Sequence, residues 1–255
     1  MNSLHLTISR SLRLASLCML ATTLFPLTLG ATEVVFQQGH NQYNGASDTT
    51  LYGQREDQRS LNYGGKEVLE IAGVRHGGMK RLGLIQFGDL AGIKGIPSGA
   101  KVKKATLRLY QIGRPADDGQ YNKVLQRDRV IRIHPVLKPW KAGMQPGAME
   151  DGPATYSYRE HQQDNPQFWG DSNQIEEGPV PGIDFDIKRS ASAPLVSDIN
   201  VWIEWDVTPI VQGWITDPST NHGFFLTALS YYVGAYFASS DAQDLSLRPQ
   251  LVIEY

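Results

Sequence analysis

The stretch SGAKVKKATLRLYQIG, residues 98–113, constrains this chain more than any other. Side chains on a β-strand point alternately to opposite faces, so an apolar/polar period of two marks a strand with one buried face. Ala105, Leu107 and Leu109 then face a core, while Lys104, Thr106, Arg108 and Tyr110 face outward. The segment RDRVIRIHPVL repeats the pattern, with Ile131 and Ile133 inward and Arg132 and His134 outward. In KRLGLIQFGDL, Leu82, Leu84 and Gln86 alternate with Gly83, Ile85 and Phe87. Further strands are predicted in TEVVFQQG, TTLYGQ, KEVLEIAG, NVWIEWDV, HGFFLTALS, GAYFASS and RPQLVIEY. Twenty-five glycines and 14 prolines supply the turns between them. The predicted class is an all-β sandwich.

One helix interrupts this pattern, in WDVTPIVQGWITDPSTNHGFFL at 205–226. Thr208 followed by Pro209 reads as an N-cap and first helical position, because proline pre-sets φ and has no N–H to leave unpaired. Ile210, Val211 and Trp214 share one face of about two turns, too short a helix to be stable alone. It is expected to close one end of the sandwich. Pro218 and the Asn221-His222-Gly223 turn then lead into the next strand, and Asp206 reads as a cap or turn acceptor.

The first thirty residues stand apart. Arg10 and Arg13 precede the apolar run LASLCMLATTLFPLTLG, and a small-residue exit follows at Gly30-Ala31. That order predicts a secretory signal peptide, cleaved near Gly30-Ala31 and leading to an extracellular or periplasmic protein. A membrane anchor is disfavoured by Pro26 and by a run shorter than the ~20 residues a span needs. Cys18 as a lipidated residue is disfavoured by the bulky Leu17 before it. Cys18 is the sole cysteine, so the remaining chain, 31–255, relies on its core rather than disulfides. It is read as a single domain without a membrane span.

Without Arg10 and Arg13 the chain keeps 22 basic against 26 acidic residues, a balance that argues against nucleic acid as partner. Residues 136–200 lose the alternation and carry isolated aromatics among Pro, Gly, Asn and Asp. They read as long ordered loops held by Trp140 and Trp169, which are loop anchors or sugar-stacking platforms. Trp202 and Trp205, three apart on a strand, face opposite ways, and Trp214 belongs to the core.

The segments SLNYGGKEVLEIAG, RLGLIQFGDLAGIKGIPSGAKVKKATLRLYQI, WDVTPIVQGWITDPSTNHGFFL and YFASSDAQDLSLRPQLVIEY fall in an order that resembles DNRLRE domains, also described as disaggregatase-related domains and carbohydrate-binding module family 96. The resemblance runs over roughly residues 45–255. Two positions depart from the pattern: Phe87-Gly88-Asp89 replaces a Phe-Asp pair, and Ser239-Ser240-Asp241 replaces Ser-Ser-Glu. The resemblance implies a secreted jelly-roll β-sandwich of two antiparallel sheets that binds polysaccharide, in some members an acidic, alginate-like one.

No catalytic set stands out. Histidines at 40, 76, 134, 161 and 222 lack zinc-ligand spacing, and no nucleophile elbow or phosphate loop occurs. The acidic pairs Glu176-Glu177 and Asp184/Asp186 carry little weight among 26 acids. Tyr158, Arg159 and His161 form the one constellation a polysaccharide lyase could use, with arginine neutralising a uronate. Binding has broader support. Arg108 and Tyr110 point the same way, Arg132 and His134 repeat the pair, and one sheet holding both strands would carry a basic, aromatic strip. These four residues are the predicted glycan-binding site. Arg75, Lys80 and Arg81 form a second basic cluster, read as a turn. A structural calcium is the metal such loops could hold, with Asp48, Asn62, Asp89 and Asp241 as candidate ligands. The expected activity is non-catalytic polysaccharide binding. The alternatives are an extracellular adhesion module and a polysaccharide lyase or hydrolase.

Overall fold

The computed structural model describes residues 31–73, 80–92, 95–115, 129–171, 178–196, 198–228, 230 and 233–255. The proposed leader at 1–30, Arg75, His76 and the Glu176-Glu177 pair lie outside the described residues.

The protein is all-β with one α-helix. Thirteen strands are described: β1 Glu33–Gln37, β2 Ala46–Tyr52, β3 Val68–Ala72, β4 Arg81–Phe87, β5 Lys104–Gly113, β6 Val130–Pro135, β7 Tyr158–Glu160, β8 Gln167–Phe168, β9 Ala191–Pro194, β10 Val201–Asp206, β11 Phe224–Ala228, β12 Gly234–Ala238 and β13 Gln250–Glu254. The first six and last four occupy the segments where alternation predicts them. The strands β7, β8 and β9 arise inside the region expected to be loop. They are two to four residues long, too short to display a period.

All named strands pair antiparallel. Eleven form one curled sheet in the order β1-β13-β5-β12-β3-β4-β11-β6-β9, with β10 on the free edge of β5 and β2 beside β4. Ten residues make β5 long enough to hold two partners on one edge, β13 along Lys104–Arg108 and β12 near Gln111 and Gly113. This lets the sheet turn about β5. The small β7–β8 pair stands apart.

The interior is largely apolar. Ala105, Leu107 and Leu109 from β5 meet Ile131 and Ile133 from β6, Ile85 and Phe87 from β4, and Trp205 from β10. Trp205 is fully buried and its indole N–H donates to the Ile131 carbonyl at 3.0 Å, which satisfies the one polar atom it brings inside. Strand β4 is buried on both faces. Leu82 and Leu84 point away from the interior into a second apolar cluster with Leu51, Phe225, Val136, Trp140, Tyr156, Trp169 and Phe185. The segment after β6 therefore forms a cover over β2, β4 and β11. Its tryptophans are anchors. Trp140 donates to the His222 carbonyl at 2.7 Å and Trp169 to the Thr155 carbonyl at 2.8 Å, both rings buried. Each such ring removes on the order of 200 Å² from water, an upper bound of roughly 5 kcal/mol.

Helix α1, Thr208–Thr216, buries Ile210, Val211, Trp214 and Ile215 against the interior. Its start differs by one residue from the expected cap: Val207 is the N-cap, and Thr208 makes no cap bond. The Thr208 hydroxyl instead accepts from the Ala105 N–H at 2.9 Å and donates to Asp206 at 2.6 Å. The Asp206 carboxylate also accepts the Thr208 N–H, and these bonds to Thr208 hold its pKa below the usual carboxylate range. Gln212 fixes the other side by accepting from Val102 N–H at 2.9 Å. After the helix, Asn221 donates to the Phe87 carbonyl at 2.7 Å and accepts from Gly223. Gly223 has φ +80°, and a Cβ there would lie 2.4 Å from the Ile85 carbonyl oxygen, so only glycine fits. Among the described residues no helix is long and apolar enough to cross a membrane.

Candidate ligand-binding face

The outward faces of β1, β13, β5 and β10 share one register. Tyr110 pairs with Trp202, Arg108 lies between Gln250 and Glu204, Thr106 between Val252 and Asp206, and Lys104 pairs with Glu254. On β1, Glu33, Val35 and Gln37 extend these rows beyond Glu254, Val252 and Gln250. Because β10 alternates, Trp205 and Ile203 go to the core while Trp202, Glu204 and Asp206 stay outside.

Trp202, on the edge strand β10, is the largest side chain of this surface. Its indole is half-buried, Tyr110 meets it edge-on with centroids 5.2 Å apart and planes at 70°, and the Arg108 guanidinium lies 4.9 Å from the ring centroid. Arg108 is held in place by Nε donating to Glu204 Oε1 at 2.8 Å and a second N–H donating to Gln250 Oε1 at 2.8 Å. A fixed aromatic ring with hydrogen-bonding groups alongside can stack on the C–H face of a sugar ring while Glu204, Gln250 and Arg108 meet its hydroxyls.

Of the four predicted site residues, only Arg108 and Tyr110 lie together. The expected single strip does not form, because β12, β3, β4 and β11 separate β5 from β6 along the sheet. Arg132 is exposed on β6, opposite Thr227 and Ser192. His134 faces the same way but is 5 % exposed, covered by the Phe185 ring at 5.3 Å, and burial lowers its pKa. Alternation alone gave no sign that the loop after β6 folds back over His134. For Trp202, alternation gave half of the answer: it set Trp202 and Trp205 on opposite faces without telling which of them is outward.

The lyase constellation is also divided. Tyr158 and His161 meet edge-on at 5.0 Å and line an open groove of about 510 Å³ with Met149, Asp151, Gln162, Gln163 and Pro166. Arg159 donates elsewhere, to the Pro139 carbonyl at 2.9 Å, and is absent from that lining. Asp184 is a loop staple, accepting N–H bonds from Gly170 at 2.6 Å and Val180 at 2.9 Å.

A polar cluster unforeseen from the sequence gathers side chains of β2, β3, β4 and β12. Glu70, 7 % exposed, forms salt bridges with both Lys66 and Arg81. Lys66 donates to the Tyr52 hydroxyl and Arg81 to the Tyr236 hydroxyl, each at 2.9 Å, and Tyr63 lies on Tyr52 with centroids 3.9 Å apart. Burial, followed by a hydrogen bond and charge from Glu70, pushes the Tyr52 phenol well above its usual range. The signal was present in KEVLEIAG, where Glu70 alternates with Leu69 and Ile71 and follows Lys66 by four residues, but Tyr52, Arg81 and Tyr236 come from three other segments. Of the basic trio, the two described members part: Lys80 donates to the Tyr156 hydroxyl at 2.9 Å while Arg81 serves Glu70.

The calcium candidates are engaged separately. The Asn62 amide donates to the Ala142 and Ala154 carbonyls and its oxygen accepts from Gly64. Asp48 accepts the Ser240 N–H at 2.6 Å, and burial raises its pKa to about 7, with nearby Asp241 adding and Arg248 opposing. Asp89 sits at φ +51° in the turn after β4. Among the described residues no group of three or more His, Cys, Asp or Glu side chains is arranged to hold a metal ion. No family model matches the chain, and no curated protein matches it closely enough to count as a relative.

Proposed function

We propose that this chain is a secreted, non-catalytic polysaccharide-binding protein of jelly-roll β-sandwich type, as its resemblance to DNRLRE domains implies. The observation that carries the reading is Trp202, half-buried on the outward face of β10 and braced by Tyr110 and Arg108. A large ring left partly in water on a sheet face, with its orientation fixed in advance, loses little rotamer entropy when a flat ligand covers it. The ligand's stacked ring would gain the apolar contact, and Gln250 and Glu204 would meet its hydroxyls.

Affinity electrophoresis of the purified protein through gels containing soluble polysaccharides tests this. Retardation by at least one glycan is expected, lost in Trp202→Ala with folding intact by circular dichroism, and kept in Arg132→Ala. Loss of retardation in Arg132→Ala but not Trp202→Ala would move the site to β6. Failure to bind any glycan would sink the proposal.

A second reading, a polysaccharide lyase, draws on the groove that Tyr158 and His161 share. Tyrosine and histidine are a workable acid–base pair. With Arg159 bonded to Pro139, however, the groove lacks the cation expected to neutralise a uronate. New unsaturated ends on incubation with alginate would favour this reading over binding alone.

A further inference from the structure

The charges on the Trp202 face select among polysaccharides. The charged residues of β1, β5, β10 and β13 are Glu33, Lys104, Arg108, Glu204, Asp206 and Glu254. All six lie in the outward register, because the alternate positions are taken by core residues such as Leu107, Ile203 and Ile253. Four carboxylates therefore face two cations. Of the cations, Arg108 is already bound to Glu204 at 2.8 Å. Lys104 lies opposite Glu254 in the ladder, and its charge also reaches Asp206.

An acidic polymer laid along these strands would run over a surface of its own sign. Successive rows are about 7 Å apart, so Glu204 lies within the ~8 Å screening length of the Trp202 row at physiological salt and its repulsion is not fully screened. To engage Arg108, a uronate would have to displace Glu204 and leave that carboxylate unpaired beside it. A neutral sugar requires no such exchange. Its hydroxyls can donate to Glu204 and Gln250 with the Arg108 bridge intact, while the ring stacks on Trp202.

We infer that the ligand of this face is a neutral, hydroxyl-rich polysaccharide and that Glu204 is the residue that rejects acidic ones. The inference rests on the binding reading above and adds the ligand's charge class. It predicts weak salt dependence, since no net ion pair forms on binding.

The test compares affinity electrophoresis of the purified protein in a panel of neutral glucans, mannans and galactans with alginate and polygalacturonate. The expected result is retardation by at least one neutral polymer, little change between low and moderate salt, and none by either polyuronate. Trp202→Ala should weaken neutral binding roughly 30-fold. Glu204→Gln removes one negative charge and frees Arg108, so it should make polyuronate retardation appear or rise. If alginate or polygalacturonate retards the wild type as strongly as any neutral polymer, and Trp202→Ala abolishes that, the charge inference is overturned while the binding face stands. If Glu204→Gln leaves polyuronate migration unchanged, the role of Glu204 is overturned. If no polymer of either class retards the protein, the binding reading fails, and the inference with it.

Discussion

Replacing Glu70 by glutamine tests whether the cluster on β2, β3, β4 and β12 supports the fold. The Glu70 side chain is 10 % exposed, Arg81 16 % and Lys66 34 %. Losing one partner of a buried pair costs about 3–5 kcal/mol, chiefly because the other charge stays buried without compensation. Arg81 fits that case. It retains the Tyr236 hydroxyl as acceptor and ring contacts with Tyr52 and Tyr236 at 5.0 and 5.8 Å, but loses its only described carboxylate. Lys66 can turn to water, so its share is discounted to at most about 1 kcal/mol. Glutamine keeps one acceptor oxygen, which returns about 1 kcal/mol. The expected net loss is about 3 kcal/mol, or a fall in Tm of roughly 6–12 °C for a chain of this size. Urea unfolding followed by tryptophan fluorescence measures it, with Glu204→Gln as the exposed control. The double variant Glu70→Leu with Arg81→Met should recover most of the loss, because replacing a buried pair by apolar groups is often neutral. A Glu70→Gln loss below about 1 kcal/mol, equal to the control, would refute the reasoning and reduce the cluster to surface decoration.

Three further outcomes follow from buried polar groups and from the binding face. Asn62→Asp puts an oxygen where an amide donates to two carbonyls, and should cost about 4 kcal/mol at neutral pH in urea unfolding, with part regained on acidification as the protonated acid restores a donor. Asp48 has a folded pKa near 7 against an ordinary 3.8, so the folded state binds the extra proton and wild-type stability falls as pH rises across that window. Asp48→Asn removes this term, so its stability relative to wild type, from melts at several pH values, should increase between about pH 4 and 7 and level off above. Arg108→Ala should weaken glycan retardation less than Trp202→Ala, because it removes a brace and a rim contact rather than the stacking ring.

The parts of this molecule that were legible in the sequence are those in which a local rule agrees with its neighbours. Alternation located ten strands, and in β10 it set Trp202 and Trp205 on opposite faces. The Pro209 helix and the Asn221–Gly223 turn were legible because proline's preference for a helix start and turn geometry act over three or four residues, although the cap itself is not Thr208. Which strands become neighbours is not local. Arg108 and Arg132 obey the same alternation, yet four strands lie between β5 and β6 in the hydrogen-bonded order of the sheet. His134 shows the sharper limit. Its outward direction is as predicted, but outward on β6 means toward Phe185 and the cover formed by the next fifty residues, a segment with no period of its own. A one-faced strand pattern thus says which side chains leave the interior, not whether water or another layer receives them. The same distinction decides the site. The aromatics of the outer layer, Trp140, Trp169 and Phe185, are covered and hold loops, whereas Trp202 keeps a partly exposed ring beside polar neighbours. Only the latter arrangement leaves surface for a ligand to bury.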